Sequence, residues 1–324
     1  TWANLGTAQK AAIKVTALET DATATTRVNF LRGDRSLEGG TSAKPFRTRN
    51  SRQGDIVNSA LWYLGAPVSN YTFDQYRAFA GRYAARIPMV YVGGNDGMLH
   101  GFSALDGAER IAYVPKGVIA NLNDLSQPSY THRYYVDGSP FSGDVNLGTT
   151  TTPDWRTLLV GTLGAGGRGY FVLDVTRPGS TATTGTTAIA TNFTAANAAS
   201  LVVMDKTAPA GDTTSGEAAD IGHVFAAPTV DDNNPQKSSQ IVRLNNNRWA
   251  VVMGNGYNST NERPVLLIQY LDGLRELKTI VAASSGTNAT SNGLSAPRLV
   301  DIDGNGTPDI VYAGDLRGNL WKFD

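Results

Sequence analysis

The sequence predicts an all-β protein on three observations. Among its 324 residues are 35 glycines and 13 tyrosines, and short runs of Val, Ile and Tyr alternate with glycine-containing turns. This composition is typical of strands joined by tight turns. Helical periodicity is scarce along the chain. The third observation is a strand–turn–strand pattern that occurs four times.

The four repeated segments favour a modified β-propeller. Each segment has an apolar strand that ends in glycine, a turn rich in Gly, Asn and Asp, and a second strand that ends near an aspartate. They are residues 89–108, 157–177, 249–274 and 309–324. Hairpins this apolar need neighbouring sheets on both faces. Their recurrence favours propeller blades with insertions over a two-sheet sandwich.

The domain organisation follows from the positions of these hairpins. We predict propeller blades over residues 50–324, forming an incomplete ring. Residues 1–49 carry little pattern, and we expect them to lead in from a longer protein. Residues 177–220, rich in Thr, Ala, Ser and Gly, predict a long, partly mobile surface excursion. Residues 231–239 predict a smaller polar insertion.

Two short helices are expected in inserted loops. Residues 73–86 place Phe73, Tyr76 and Phe79 on one helical face, and Pro88 ends the pattern. We interpret this aromatic stripe as packing rather than as a cofactor site. Residues 118–125 are the second candidate.

Composition excludes several classes of function. Charged residues are 17% of the chain, and 28 basic residues balance 28 acidic ones, so no basic patch predicts nucleic-acid binding. The absence of cysteine excludes disulfides and thiolate metal sites, but it does not exclude secretion. No run of about 18 apolar residues predicts a membrane span.

The most specific motif is a candidate calcium loop at residues 301–309. Oxygen-bearing side chains occupy positions 1, 3, 5 and 9 of the loop, and Gly306 at position 6 permits a sharp turn. The predicted Ca²⁺ ligands are the side chains of Asp301, Asp303, Asn305 and Asp309 and the main-chain carbonyl of Thr307.

The loop differs from a helix-loop-helix calcium hand in two respects. Position 12 is Tyr312 rather than the bidentate glutamate of that pattern. Its flanks, residues 297–301 and 310–314, have the pattern of strands. We therefore predict a calcium loop within a β-sheet protein, closed by Asp309. The alternative is a turn rich in Asp and Asn that binds nothing.

The chain resembles the C-terminal domain of the PilY family, the type IV pilus tip-associated biogenesis factors and adhesins. The resemblance is carried by these segments in order: FLRGDRSLEGG (30–40), FRTRNSRQGDIVNS (46–59), VYVGGNDGMLHGF (90–102), HRYYVDGSP (132–140), LLVGTLGAGGRGYFVLDVT (158–176), IVRLNNNRWAVVMGNGYNS (241–259) and the last 33 residues, 292–324. The resemblance implies a secreted propeller at the bacterial surface and pilus tip, with calcium at Asp301, Asp303, Asn305, Thr307 and Asp309. It implies minor pilins as partners, host or surface receptors as further partners, and a link between calcium and pilus extension and retraction.

Other motifs have more ordinary interpretations. Arg32-Gly33-Asp34 is a tripeptide that can bind integrins, but we favour a turn at Gly33 with local ion pairs. Residues 161–169 are glycine-rich yet precede a strand, so we predict a wide hairpin turn rather than a nucleotide loop. The three histidines lack the spacing of a zinc site or a catalytic triad. The aspartates that end the hairpins suggest turn capping.

Two other functions remain open at this point. A quinoprotein dehydrogenase is built on a similar propeller, but only residues 103–107 resemble its blade signature. A propeller with integrin-like calcium repeats fits residues 297–321, but that pattern occurs only once. We therefore predict a calcium-binding pilus tip protein without enzymatic activity.

Overall fold

Four antiparallel sheets follow one another along the chain, consistent with a partial propeller whose sheets do not close into a ring. The computed structural model describes residues 1–209, 211, 216–232 and 234–324. We call the sheets blades 1 to 4. Within each blade the strands are neighbours in sequence order. The strands are Trp62–Leu64, Met89–Gly94, Met98–Ser103 and Glu109–Tyr113 in blade 1; Phe141–Asn146, Trp155–Thr162, Tyr170–Asp174 and Val202–Asp205 in blade 2; Ile241–Arg243, Trp249–Gly254, Val265–Tyr270 and Leu277–Val281 in blade 3; and Arg298–Val300, Ile310–Gly314 and Leu320–Phe323 in blade 4.

The four predicted hairpins are the hairpins of these sheets, and the all-β fold is confirmed. In blade 1, Met89 pairs with Ser103 and Gly94 with Met98 across the predicted turn. Gly97 in that turn has a φ of 90°, a conformation that glycine adopts without strain. In blade 4 the second strand of the hairpin is the last strand of the sheet.

The core is centred on blades 2 and 3, and burial decreases toward blade 4. Every residue of Phe141–Asn146 and of Trp249–Gly254 is buried. By contrast, Leu320–Phe323 alternates exposed and half-buried residues. A small apolar cluster that includes Val252 of blade 3 and Ala313 of blade 4 joins these two blades. The candidate calcium loop therefore lies in the least buried blade.

The predicted aromatic helix forms but is shorter than expected. It spans Tyr76–Arg82 rather than residues 73–86, because Asp74 and Gln75 have φ values of 48° and 56° and cannot continue a right-handed helix. Its aromatic side chains pack on Trp155, whose ring centroid lies 4.8 Å from that of Tyr76. The interpretation of the stripe as packing is confirmed. The second candidate is a 3₁₀-helix at Lys116–Ser126.

The first 49 residues contain two α-helices that the sequence did not predict, Thr7–Ile13 and Asp21–Leu31. The Thr20 side chain caps the second helix by accepting a hydrogen bond from the amide of Thr23 at 3.2 Å. The inward side of this helix carries Arg27, which is 4% exposed. A buried arginine on the inner face removes the apolar periodicity by which a helix is recognised.

The predicted surface excursion at residues 177–220 is partly wrong. Val202–Asp205 is the outer strand of blade 2, where Phe171 pairs with Asp205. Ile189 and Leu201 of this segment are buried. The predicted insertion at 231–239 is largely a hairpin, Val230–Asp231 with Asn234–Ser238. Residues 210, 212–215 and 233 lie outside the described part of both segments.

The remaining elements are short. Gly167–Arg168 and Ala208–Pro209 form a two-stranded pair. One-turn helices are found at Trp2–Asn4, Gly164–Gly166, Ala195–Asn197, Ala198–Leu201 and Gly216–Asp220. Among the described residues, none of the helices combines the length and the apolarity that a membrane crossing requires.

Candidate calcium site

The candidate loop connects the first two strands of blade 4. Val300 and Ile310 are paired across its base, and the Asp309 amide donates a hydrogen bond to the Val300 carbonyl at 2.9 Å. The loop is therefore held at both ends by a regular antiparallel ladder. Strands on either side of the loop were the expectation from sequence.

Three carboxylates of the loop lie together. Asp301, Asp303 and Asp309 each offer an oxygen, and these oxygens lie within 4.8 Å of one another. Oxygen ligands lie 2.3–2.6 Å from Ca²⁺, so two ligands of one ion are at most about 5.2 Å apart. The spacing and the hard oxygen donors fit a calcium ion. Asp301 and Asp303 are exposed, which leaves room for water in a shell of six to eight ligands.

The backbone of the loop fixes Asp301. Its carboxylate accepts hydrogen bonds from the amides of Gly306 at 2.7 Å, Gly304 at 2.8 Å and Asn305 at 3.2 Å. Gly306 has a φ of 87°, so the glycine expected at position 6 is required by the turn. These amides, above all that of Gly306, lower the pKa of Asp301. Asp301 is therefore an ionised carboxylate whose orientation is fixed by the backbone of the loop.

The other end of the loop is closed by Asp309. Its carboxylate accepts a hydrogen bond from the Ile302 amide at 2.8 Å, which draws the two ends of the loop together. The amide side chain of Asn305 donates to Asp303 at 2.9 Å. All five residues predicted as ligands thus make hydrogen bonds within the loop.

Thr307 connects the loop to blade 3. It is 6% exposed, and its amide donates to the Asn305 side-chain oxygen at 2.8 Å. Its hydroxyl lies 2.5 Å from that oxygen and 2.5 Å from the side-chain oxygen of Asn245. Asn245 lies in the turn before strand Trp249–Gly254 of blade 3. No local motif indicates Asn245, because 62 residues separate it from Thr307.

Each histidine makes hydrogen bonds with its own partners, as expected for structural residues. His100 contacts Asp96 and Glu109, His132 contacts Asp55, and His223 contacts the Gly164 carbonyl at 2.8 Å. Within the described part of the chain, residues 301, 303 and 309 are the only group of three or more histidine and acidic residues whose ligand atoms come together.

The integrin-like tripeptide forms the predicted turn, but the ion pairs described near it are Arg35–Glu38 and Arg49–Glu38 rather than pairs of Arg32 or Asp34. Gly33 has a φ of 101°, and Arg32 and Asp34 are exposed. The Asp34 carboxylate accepts a hydrogen bond from the Ser36 amide at 2.8 Å rather than pairing with Arg32. This amide lowers the pKa of Asp34.

The glycine-rich segment and the hairpin aspartates also have structural roles. A Cβ atom on Gly166 would lie 1.8 Å from the Tyr135 carbonyl oxygen, so close backbone packing explains this glycine. Asp106 and Asp174 accept hydrogen bonds from the amides two residues ahead, at 3.0 and 2.9 Å. The prediction of turn capping is confirmed at both.

Comparison with known proteins identifies the family. Residues 50–324 match the family model described as the PilY1 β-propeller domain. The chain belongs to the PilY1 β-propeller family. The PilY1 resemblance seen in the sequence motifs is therefore confirmed, and so is the propeller fold.

Individual PilY1 proteins match across most of the chain. Type IV pilus biogenesis factor PilY1 of Pseudomonas aeruginosa strain PAK is 41% identical over 313 residues, covering 92% of this chain and 22% of the relative. A PilY1 homolog of Xylella fastidiosa strain Temecula1 is 37% identical over 305 residues, covering 92% of this chain and 21% of the relative. The chain thus spans about a fifth of the length of these relatives.

A solved structure supports the same assignment. The crystal structure of the Pseudomonas aeruginosa PilY1 C-terminal domain matches with a TM-score of 0.56 and 33% identity. The match covers 81% of this chain and 45% of that one.

Proposed function

We propose that this chain is the calcium-binding propeller of a type IV pilus biogenesis factor. The biogenesis role is supported by the PilY1 proteins, which carry that name and are about 40% identical over 92% of the chain. Their names describe pilus biogenesis rather than an enzymatic reaction, which favours this role over the quinoprotein alternative. We place the protein outside the cell, at the pilus tip, with minor pilins as partners and with host or surface receptors as its adhesion targets.

The calcium proposal is carried by one observation, the convergence of three carboxylates within 4.8 Å at the end of a strand pair. The proposed ligands are the side chains of Asp301, Asp303, Asn305 and Asp309 and the carbonyl of Thr307. Bound calcium would supply positive charge that offsets the repulsion among these carboxylates. Through binding, the ion stabilises the folded loop by an amount set by its free concentration relative to the dissociation constant.

Calorimetric titration of Ca²⁺ into chelator-treated protein tests this proposal. We expect one binding event in the wild type and its loss in Asp309→Ala, which removes a ligand and the hydrogen bond to Ile302. A matched control is Asp324→Asn, because Asp324 is exposed in the same blade and outside the loop. Equal heats in wild type and Asp309→Ala would overturn the calcium assignment.

The pilus role is tested in the full-length protein. In a piliated bacterium that lacks its own copy of this factor, the wild-type gene is expected to restore surface pili. The Asp309→Ala gene is expected to give altered pilus number or twitching motility at an equal protein level. Failure of the wild-type gene would contradict the biogenesis role, and identical behaviour of both genes would separate that role from calcium.

A further inference from the structure

The Thr307 hydroxyl lies between two side-chain oxygens, although it has one proton to give. One oxygen belongs to Asn305 in the calcium loop, and the other belongs to Asn245 in blade 3, each at 2.5 Å. A hydroxyl donates a single hydrogen bond. At any moment it can therefore donate to Asn305 in the loop or to Asn245 in blade 3, but not to both.

The Asn305 oxygen already has another donor. The Thr307 amide donates to it at 2.8 Å, and a carbonyl oxygen has two lone pairs. If this oxygen also becomes a ligand of a cation, a third contact crowds it, and the positive ion repels the hydroxyl hydrogen. The Asn245 oxygen lies outside the predicted ligand set and has no such competitor from the ion.

We propose that Asn245 is a positioning residue that couples occupancy of the calcium loop to blade 3. With the loop empty, the Thr307 hydroxyl donates to Asn305; with the Asn305 oxygen bound to a cation, it donates to Asn245. This inference rests on the proposed calcium function. It adds a route by which occupancy of an exposed loop alters the contact between two blades.

The turn that carries Asn245 is built to pass this effect into the sheet. The Leu244 and Asn247 amides donate hydrogen bonds within the turn, each at 2.8 Å. Arg248 then pairs with Asp272 at 2.8 Å, next to the start of strand Trp249–Gly254. A stronger bond to Asn245 therefore holds a turn that is already tied to the core strands of blade 3.

Hydrogen exchange of the Leu244 and Asn247 amides, with calcium and with chelator, tests the coupling. One hydrogen bond contributes about 0.5–1.5 kcal/mol, so we expect calcium to slow exchange in the turn by about two- to tenfold in the wild type. In Asn245→Ala the turn should exchange at the same rate in both conditions. Calorimetry should still show one calcium bound to this variant.

Two aspartate variants test whether Asn245 acts as an acceptor. The carboxylate of Asn245→Asp, when ionised, accepts hydrogen bonds but cannot donate them, so this variant should retain the calcium-dependent protection of the turn. The control is Asn247→Asp, which adds the same charge in the same turn at a φ of 62°, a conformation that Asp tolerates. This control should also retain protection, with calcium affinity raised about as much as in Asn245→Asp.

The outcomes distinguish this inference from the proposed function. Calcium binding to the wild type without added protection of the turn would overturn the coupling and leave the calcium site intact. Protection that persists in Asn245→Ala, or is lost in Asn245→Asp, would also overturn it. Absence of calcium binding in the wild type would overturn both proposals.

Discussion

Blades 1 and 4 both gather acidic side chains at the end of a strand, but they balance the charge differently. In blade 1, Asp96 and Glu109 lie on either side of His100, at 3.0 and 2.6 Å from its two ring nitrogens. In blade 4, the described partners of the Asp301 carboxylate are backbone amides. Backbone amides offer partial positive charge only, whereas a protonated imidazole offers a full one.

Because of this difference, the stability of the two clusters should depend on different solution conditions. The blade 1 cluster is complete within the chain, and its Asp96 carboxylate also accepts a hydrogen bond from the Gly54 amide at 2.7 Å. Its stability should depend on protonation of His100 and not on ions. The blade 4 loop leaves three carboxylates together, so its stability should depend on a divalent cation and only weakly on pH near neutrality.

The largest effect on the free energy of unfolding is expected from removing a proposed calcium ligand. At free calcium 100 times the dissociation constant, binding stabilises the protein by about 2.7 kcal/mol. Asp301→Asn should lose nearly all of this gain, because it weakens both the ligand and the contacts that orient the loop. Urea unfolding with and without calcium measures it. An equal calcium-dependent gain in wild type and Asp301→Asn would remove the distinction between the blades.

A smaller loss is expected from replacing His100. His100→Phe keeps a buried ring but leaves Asp96 and Glu109 without their shared partner, at a cost of about 2 kcal/mol. The same unfolding experiment measures this cost, which should be equal with calcium and with chelator. A cost that depended on calcium would show that the two clusters are not independent.

The change in unfolding free energy with pH that comes from His100 should be smaller still. Burial disfavours the charged imidazole, but the hydrogen bonds and negative charges of Asp96 and Glu109 outweigh burial, and the pKa of His100 is raised. A raised pKa in the folded state gives stability that is fully present below the unfolded value of about 6.5 and is lost as pH rises through the folded value.

Comparison with His100→Gln isolates this contribution. Burial lowers the pKa of His223, so the contribution of His223 to stability increases as pH rises. The wild type and His100→Gln both retain His223, so this contribution cancels in their difference. The difference in unfolding free energy between wild type and His100→Gln, measured in chelator from pH 5.5 to 8.5, should shrink as pH rises. A constant difference would show that the charge of His100 contributes nothing.

The sequence predicted the features that are local. Hairpins such as 157–177 were recognisable because both strands are buried and a glycine turn separates them. The proximity of the Asp301 and Asp309 carboxylates was predictable because both residues belong to one short loop. The expectation that His100 is satisfied by hydrogen bonds also holds, since its two carboxylate partners lie within nine residues.

The remaining features depend on distant contacts. The outer strand Val202–Asp205 is half-buried throughout, so neither an apolar run nor an alternation marks it. The helix Asp21–Leu31 buries Arg27, whose carboxylate partner Glu19 precedes the helix. Asn245 acquires a role only because blade 3 lies beside the loop, and a single sequence does not report which blades are neighbours at that point.

A crystal structure of the protein grown with calcium tests the central claim most directly. Anomalous difference density collected at a wavelength where calcium scatters should show one peak in the loop. The peak should lie 2.3–2.6 Å from oxygens of Asp301, Asp303, Asn305 and Asp309 and from the Thr307 carbonyl. An ordered loop without such a peak at saturating calcium, or a peak held by other residues, would contradict the account.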